Sequence, residues 1–86
     1  MRGIIVDDEP LMIEAFKRLS SGIENLKLEG AFESAEEAIE FSENHSFEIA
    51  FLDIELPEMN GIECAKALRE KMPGILIVFI LSLIHI

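Results

Sequence analysis

The chain has 86 residues, room for one small domain, and half of them are hydrophobic, which is enough to build a core and excludes a disordered tail. Seventeen acidic side chains against seven basic ones give a formal net charge of −10. That balance opposes direct contact with nucleic acid, which needs Lys and Arg against phosphates, and contact with anionic membrane surfaces; it suits a cation or a basic partner.

The first predicted element is the strand "RGIIVDD", a continuous β-branched run closed by Asp7 and Asp8, as in a strand buried on both faces. Pro10 suits the first turn of a helix, where its missing N–H is no loss. Met12, Phe16 and Leu19 follow at spacings of four and three and predict one apolar helix face, with Gly22 as its stop. "LKLEGAF" is a second, weaker strand, in which Leu26 and Leu28 alternate with charges. Ser34 and Glu37 form an S-x-x-E capping box that opens a second helix through about residue 44, with Ala38 and Phe41 toward the core.

"FEIAFLD" is the third strand, ending on Asp53. Asn60 and Glu63 repeat the cap pattern, and Ile62, Ala65, Leu68 and Met72 predict the apolar stripe of a third helix that Pro73 and Gly74 end. "ILIVFIL" is the fourth strand. The apolar C-terminal run, twelve residues from Ile75 to Ile86, is too short to span a bilayer. The alternation β-α-β-α-β-α-β implies a parallel sheet with helices on both faces. A single cysteine, Cys64, cannot form an internal disulfide, so a cytoplasmic, reducing location is expected, with Cys64 as packing.

In open parallel sheets of this kind, ligands gather beyond the carboxyl ends of the strands. Asp7 and Asp8 lie just past the first strand and Asp53 ends the third, so neighbouring strands would bring three carboxylates together. Two ionised carboxylates about 4 Å apart repel by roughly 4 kcal/mol at an effective dielectric of 20, and a third adds to this. A hard divalent cation offsets the repulsion, and few protein ligands with several waters suit Mg²⁺. Taken singly, each Asp also reads as a turn or cap residue, and Asp8 as the cap of the first helix; Pro57 and Gly61 alone are loop punctuation.

Together, "IIVDDEP", "FLDIELPEMNG" and the element order resemble the receiver domain of bacterial two-component response regulators, from about residue 2 to about residue 80. The resemblance implies a flavodoxin-like, doubly wound parallel sheet of strand order 2-1-3-4-5. It implies that Asp53 is the phosphoacceptor for a sensor histidine kinase. It also implies that Asp8 and Asp53 bind Mg²⁺ directly, Asp7 largely through water, and that the backbone carbonyl of Glu55 completes the protein ligands. Pro57 and Gly61 would shape the loop that keeps Asp53 accessible. The phosphorylated domain would gate an output domain, with DNA contacted only through that output domain and transcription as the controlled step.

The chain also departs from the family pattern. Leu81 falls where a phosphate-binding Thr or Ser is expected, and Ser82 lies one place beyond. A one-residue slip turns a strand side chain to the other face, so Ser82 is a poor substitute. The Lys expected after a fifth strand has no counterpart. Residues 1–81 therefore read as a partial receiver domain, truncated after the fourth strand, and 82–86 as an atypical tail of foreign or frame-shifted origin. Such a chain would expose its fourth strand as an apolar edge open to self-association. Alternatives are an interaction module that is not phosphorylated, an inert fragment, or an aspartyl-phosphate phosphatase with Glu55 at the second acid of a D-x-D-like pattern. His45 reads as an exposed residue at a helix end, Lys66, Arg69 and Lys71 as a solvated face, and His85 carries no role.

Overall fold

The computed structural model describes residues 1–81; Ser82 and the rest of the expected tail lie outside the described residues. The elements are β1 (Arg2–Val6), α1 (Pro10–Ser20), β2 (Lys27–Phe32), α2 (Ala35–Ser42), β3 (Ile49–Asp53), α3 (Gly61–Lys71) and β4 (Leu76–Ile80). All three strand pairings are parallel and the sheet order is β2-β1-β3-β4, as the resemblance implied. β1 is central and buried on both faces, which is why its run is continuously apolar. Among the described residues no helix is long and apolar enough to cross a membrane.

Local chemistry starts two of the helices as the sequence predicts. Ser34 Oγ accepts from the Glu37 N–H at 3.2 Å and Asn60 Oδ1 accepts from the Glu63 N–H at 2.9 Å, each satisfying an otherwise orphaned donor. Pro10 occupies the first turn of α1, but the residue preceding the helix is Glu9 and no side chain caps it, so the expected role of Asp8 as a cap is not what the fold uses. α1 ends at Ser20, two residues before Gly22, and the left-handed residue of the turn that follows is Asn25, with φ 67°.

One face of the sheet carries the main core. Ile4 and Val6 of β1, with Ala50 and Leu52 of β3, meet Ala35 and Ala38 of α2 and Cys64, Ala65 and Leu68 of α3. The many small side chains let both helices sit close to the strands. Against the sequence expectation, Ile62 is 49% exposed, and Cys64 takes its place inside. The first turn of α3 lies against the end of β3 through Gly61, and this turns the helix so that 61, 64, 65 and 68 face inward. α1 covers the opposite face, where Ile13 is buried and Phe16 meets Phe51 with ring centroids 4.6 Å apart. Leu19, expected on its apolar face, is 76% exposed. α1 has apolar residues nearly all round, so the spacing of Met12, Phe16 and Leu19 does not fix which side turns inward.

Candidate phosphoryl and cation site

The carboxyl ends of β1 and β3 are adjacent because the two strands pair, Val6 opposite Leu52. The next residues along each strand therefore arrive together. Carboxylate oxygens of Asp7, Asp8 and Asp53 all lie within 4.8 Å of one another. Asp7 is fully buried and Asp53 only 1% exposed, while Asp8 is half-buried at the rim.

The two buried aspartates are held by the same local device. Asp7 Oδ1 accepts from the Glu9 N–H at 2.9 Å, and Asp53 Oδ1 accepts from the Glu55 N–H at 3.0 Å. Each is a side chain bonding its own backbone two residues on, which fixes the carboxylate and turns the chain away from the strand. The pattern is visible afterwards in the sequence as Asp-x-Glu at both strand ends, 7–9 and 53–55. Asp8 differs: its Oδ1 is buried and has no hydrogen-bond partner. A buried, unsatisfied carboxylate oxygen is costly, and this one lies within reach of two other carboxylates. Such an oxygen-only set, without Cys or His, fits a hard divalent cation.

The loop after β3 is shaped by four residues. The Gly61 N–H donates to the Ile54 carbonyl at 2.9 Å, and a Cβ at Gly61 would collide with the main-chain carbonyl oxygen of Asp53. Glycine is required there by close approach, since only a residue without a side chain lets α3 start against the strand end. Exposed Pro57 offers its carbonyl to the Met59 N–H at 2.7 Å. Leu56 tucks into the core, and Glu58 adopts a left-handed φ of 66°. Neither of these last two was legible in the sequence: Leu56 has no periodic partner, and glutamate is not a residue that signals positive φ.

Glu55, whose backbone carbonyl was expected to serve as a ligand, follows Asp53 by two residues with an exposed side chain. Leu81 is exposed beyond the end of β4, and Ser82 lies outside the described residues. Cys64 is fully buried beneath α3, where desolvation, reinforced by the Glu36 charge, pushes its thiol up to about 11 and keeps it protonated.

A family profile described as the response regulator receiver domain matches residues 4–83. The chain belongs to that family. The nitrate/nitrite response regulator protein NarL of Escherichia coli K12 is 32% identical over 80 residues, which cover 92% of this chain and 37% of NarL. The response regulatory domain of mrkE from Klebsiella pneumoniae matches with a TM-score of 0.86 and 26% identity, over 99% of this chain and 70% of that one. The isolated REC domain of RcsB from Salmonella enterica serovar Typhimurium, solved with phosphomimetic BeF3⁻, shares the fold at a TM-score of 0.86 and 23% identity, over 94% of this chain and 61% of that domain. The receiver chain thus has the α/β, flavodoxin-like fold that its element order implied, and transcriptional regulatory proteins are among its relatives. It spans about a third of the length of the curated relatives it matches.

Proposed function

We propose that the receiver domain accepts a phosphoryl group on Asp53 from the phosphohistidine of a sensor histidine kinase, and that the modified domain gates an output domain that controls transcription. The observation that carries this reading is the convergence of Asp7, Asp8 and Asp53 at the carboxyl end of the sheet. In the transfer, an O–P bond forms to an Asp53 carboxylate oxygen and the N–P bond of phosphohistidine breaks. The imidazole leaves with the electron pair and takes up a proton from solvent. Asp8 and Asp53 would hold Mg²⁺ directly, Asp7 would act through water, and the Glu55 backbone carbonyl would complete the protein ligands. When bound, the ion supplies the positive charge that lets an anionic carboxylate meet an anionic phosphoryl group. The Glu55 N–H orients the Asp53 carboxylate, and Gly61 keeps the adjacent backbone fixed.

The test is phosphorylation by acetyl phosphate in Mg²⁺, read by mass spectrometry. One phosphoryl group is expected, on Asp53. Asp53→Asn and removal of Mg²⁺ with EDTA should each abolish it, and Asp8→Asn should slow it by at least about tenfold. Labelling that survives Asp53→Asn or EDTA would overturn the reading. A folded chain that takes no phosphoryl group favours the interaction-module alternative, for which Leu81 in the place of a hydroxyl residue is the supporting feature.

β4 supports the further expectation of self-association. It is flanked only by β3 among the described residues, it carries no charged residue or proline, and Leu76, Val78 and Phe79 are exposed along it. An edge of this kind is a template for another strand. Sedimentation velocity should show concentration-dependent dimers or larger species, and Val78→Lys should shift the chain to monomer; a wild-type monomer throughout would dismiss the idea.

A further inference from the structure

The three helices end differently. α1 has Lys17 and Arg18 in its last turn and α3 has Arg69 and Lys71, cations that complement the negative end of the helix dipole. α2 has no basic residue there; Glu40 lies in its last turn and Glu43 caps it. Carboxylates at that end work against the helix. Neither is in an ion pair among the described residues, whose salt bridges are Arg2–Glu48 and Glu14–Lys17. Positions that break a local rule without a gain in folding are where function is to be sought.

A cavity of about 310 Å³ adjoins this helix end, lined by Phe32, Glu37, Glu40, Phe41, Asn44 and His45. Its wall is aromatic. The His45 ring is stacked on Phe41 with centroids 4.0 Å apart and 2° between the planes, and Phe32 tilts against Phe41 at 5.1 Å. His45 Nδ1 lies 3.1 Å from the Phe41 carbonyl oxygen, which tethers the ring to the helix end. An aromatic face beside two carboxylates is matched to a planar cation. The guanidinium group stacks on the rings and donates paired hydrogen bonds to carboxylates, whereas an ammonium does only part of this. On the other side of Glu40 a groove of about 610 Å³ passes over Ile39 and Met59, rimmed by Glu36, Glu40 and Glu43.

We propose that this face of α2 is a docking site for an arginine-bearing basic segment of a partner protein. One guanidinium sits against the Phe41–His45 stack between Glu37 and Glu40, and an aliphatic neighbour lies over Ile39 and Met59. The occupant follows from charge: the chain carries a formal −10, which repels nucleic acid and attracts a basic peptide. The surface is lined by none of Asp7, Asp8 and Asp53, so it does not rest on the phosphoacceptor reading, although Phe32 and Met59 belong to the same end of the sheet as Asp53.

Fluorescence anisotropy with a short arginine–leucine peptide and its lysine–leucine counterpart tests it on the whole chain. The arginine peptide is expected to bind several-fold more tightly, and His45→Ala should erase that preference. Glu40→Lys with Glu43→Lys should weaken binding by about tenfold, while Glu24→Lys with Glu70→Lys, equal in charge but outside the lining of both cavities, should change it by less than about twofold. Equal losses from both pairs, or equal binding of the two peptides, would mean only diffuse attraction to an acidic protein and would overturn the proposal. The Glu40→Lys, Glu43→Lys chain should also melt at a higher temperature than wild type; a lower one would remove the premise that these carboxylates oppose the helix.

Discussion

The two faces of the sheet are built to different standards. On the face covered by α2 and α3, alanines, Cys64 and Leu68 close over Ile4, Val6, Ala50 and Leu52 with almost no exposure. On the other face α1 lies alone, and Leu76 and Val78 of β4 stay 52% and 37% exposed. Side chains alternate along a strand, so Ile5 and Asp7, and Phe51 and Asp53, belong to this second, thinner face. Burial and chemistry are thus separated by strand parity. One face supplies the packing that fixes the strands, and the other carries the acidic cluster at the ends of the same strands, with Asp8 at its rim.

The largest effect that would test this division is at Leu68, which is fully buried between α3 and the sheet. Leu68→Ala should cost about 2–5 kcal/mol, a large share of the roughly 5–15 kcal/mol that holds a small domain together. Leu19→Ala, on the exposed side of α1, should change stability by less than about 0.5 kcal/mol. Urea denaturation of the two variants measures both. Comparable losses would show that α1 buries Leu19 in solution and that the two faces are more alike than the fold implies.

Gly61 marks where the two regions meet, since α3 begins there against the backbone of Asp53. Gly61→Ala drives a methyl group into the Asp53 carbonyl oxygen, and relief requires either α3 or the strand end to move. A loss of about 1–3 kcal/mol is expected from such overpacking. The same shift would misplace the Asp53 carboxylate, so the rate of phosphorylation by acetyl phosphate should fall further than the loss of folded protein explains. A variant that is destabilised but labels at the wild-type rate per folded molecule would show that the helix start and the carboxylate are mechanically independent.

How much of this was legible beforehand depends on which physical signal each residue carries. The strands were readable as continuous apolar runs, and the three aspartates as the polar residues that close two of those runs. The caps at Ser34 and Asn60 were readable because a side-chain acceptor three residues before a Glu N–H is a local event. Leu19 and Ile62 were misassigned because helix phase is set by what the helix packs on, and that information is not local. The sheet order came from resemblance, since alternation alone fixes parallel strands but not their sequence in space. Glu58 and Leu56 were invisible because the loop imposes their conformation from both ends. The cavity beside the glutamates at the end of α2 carries no signal in the sequence, because it depends on Phe32 and His45, which meet Phe41 only in the folded chain.

The smallest effect belongs to the amino-terminal end of the sheet, where neither face is at stake. The Arg2 N–H donates to Glu48 Oε1 at 2.7 Å, and the Arg2 guanidinium reaches Oε2 at 3.1 Å. The Arg2 backbone N–H does most to hold the Glu48 carboxyl below its ordinary 4.5; slight desolvation opposes this, and the guanidinium adds to the lowering. The folded value lies below the unfolded one, so the unfolded chain binds the proton more readily. The stabilisation is therefore fully present above about pH 4.5 and lost as the pH falls through the folded value. Glu48→Gln keeps an acceptor for the Arg2 N–H and removes only the charge, so it should lower Tm slightly at about pH 7 and by less at about pH 3. Thermal melts at the two pH values measure the difference. A deficit of equal size at both would show that the loss does not come from the charge; the backbone bonds of residue 48 with Arg2 and Leu76, which join the starts of β1 and β4, are kept in the variant and should hold at both pH values.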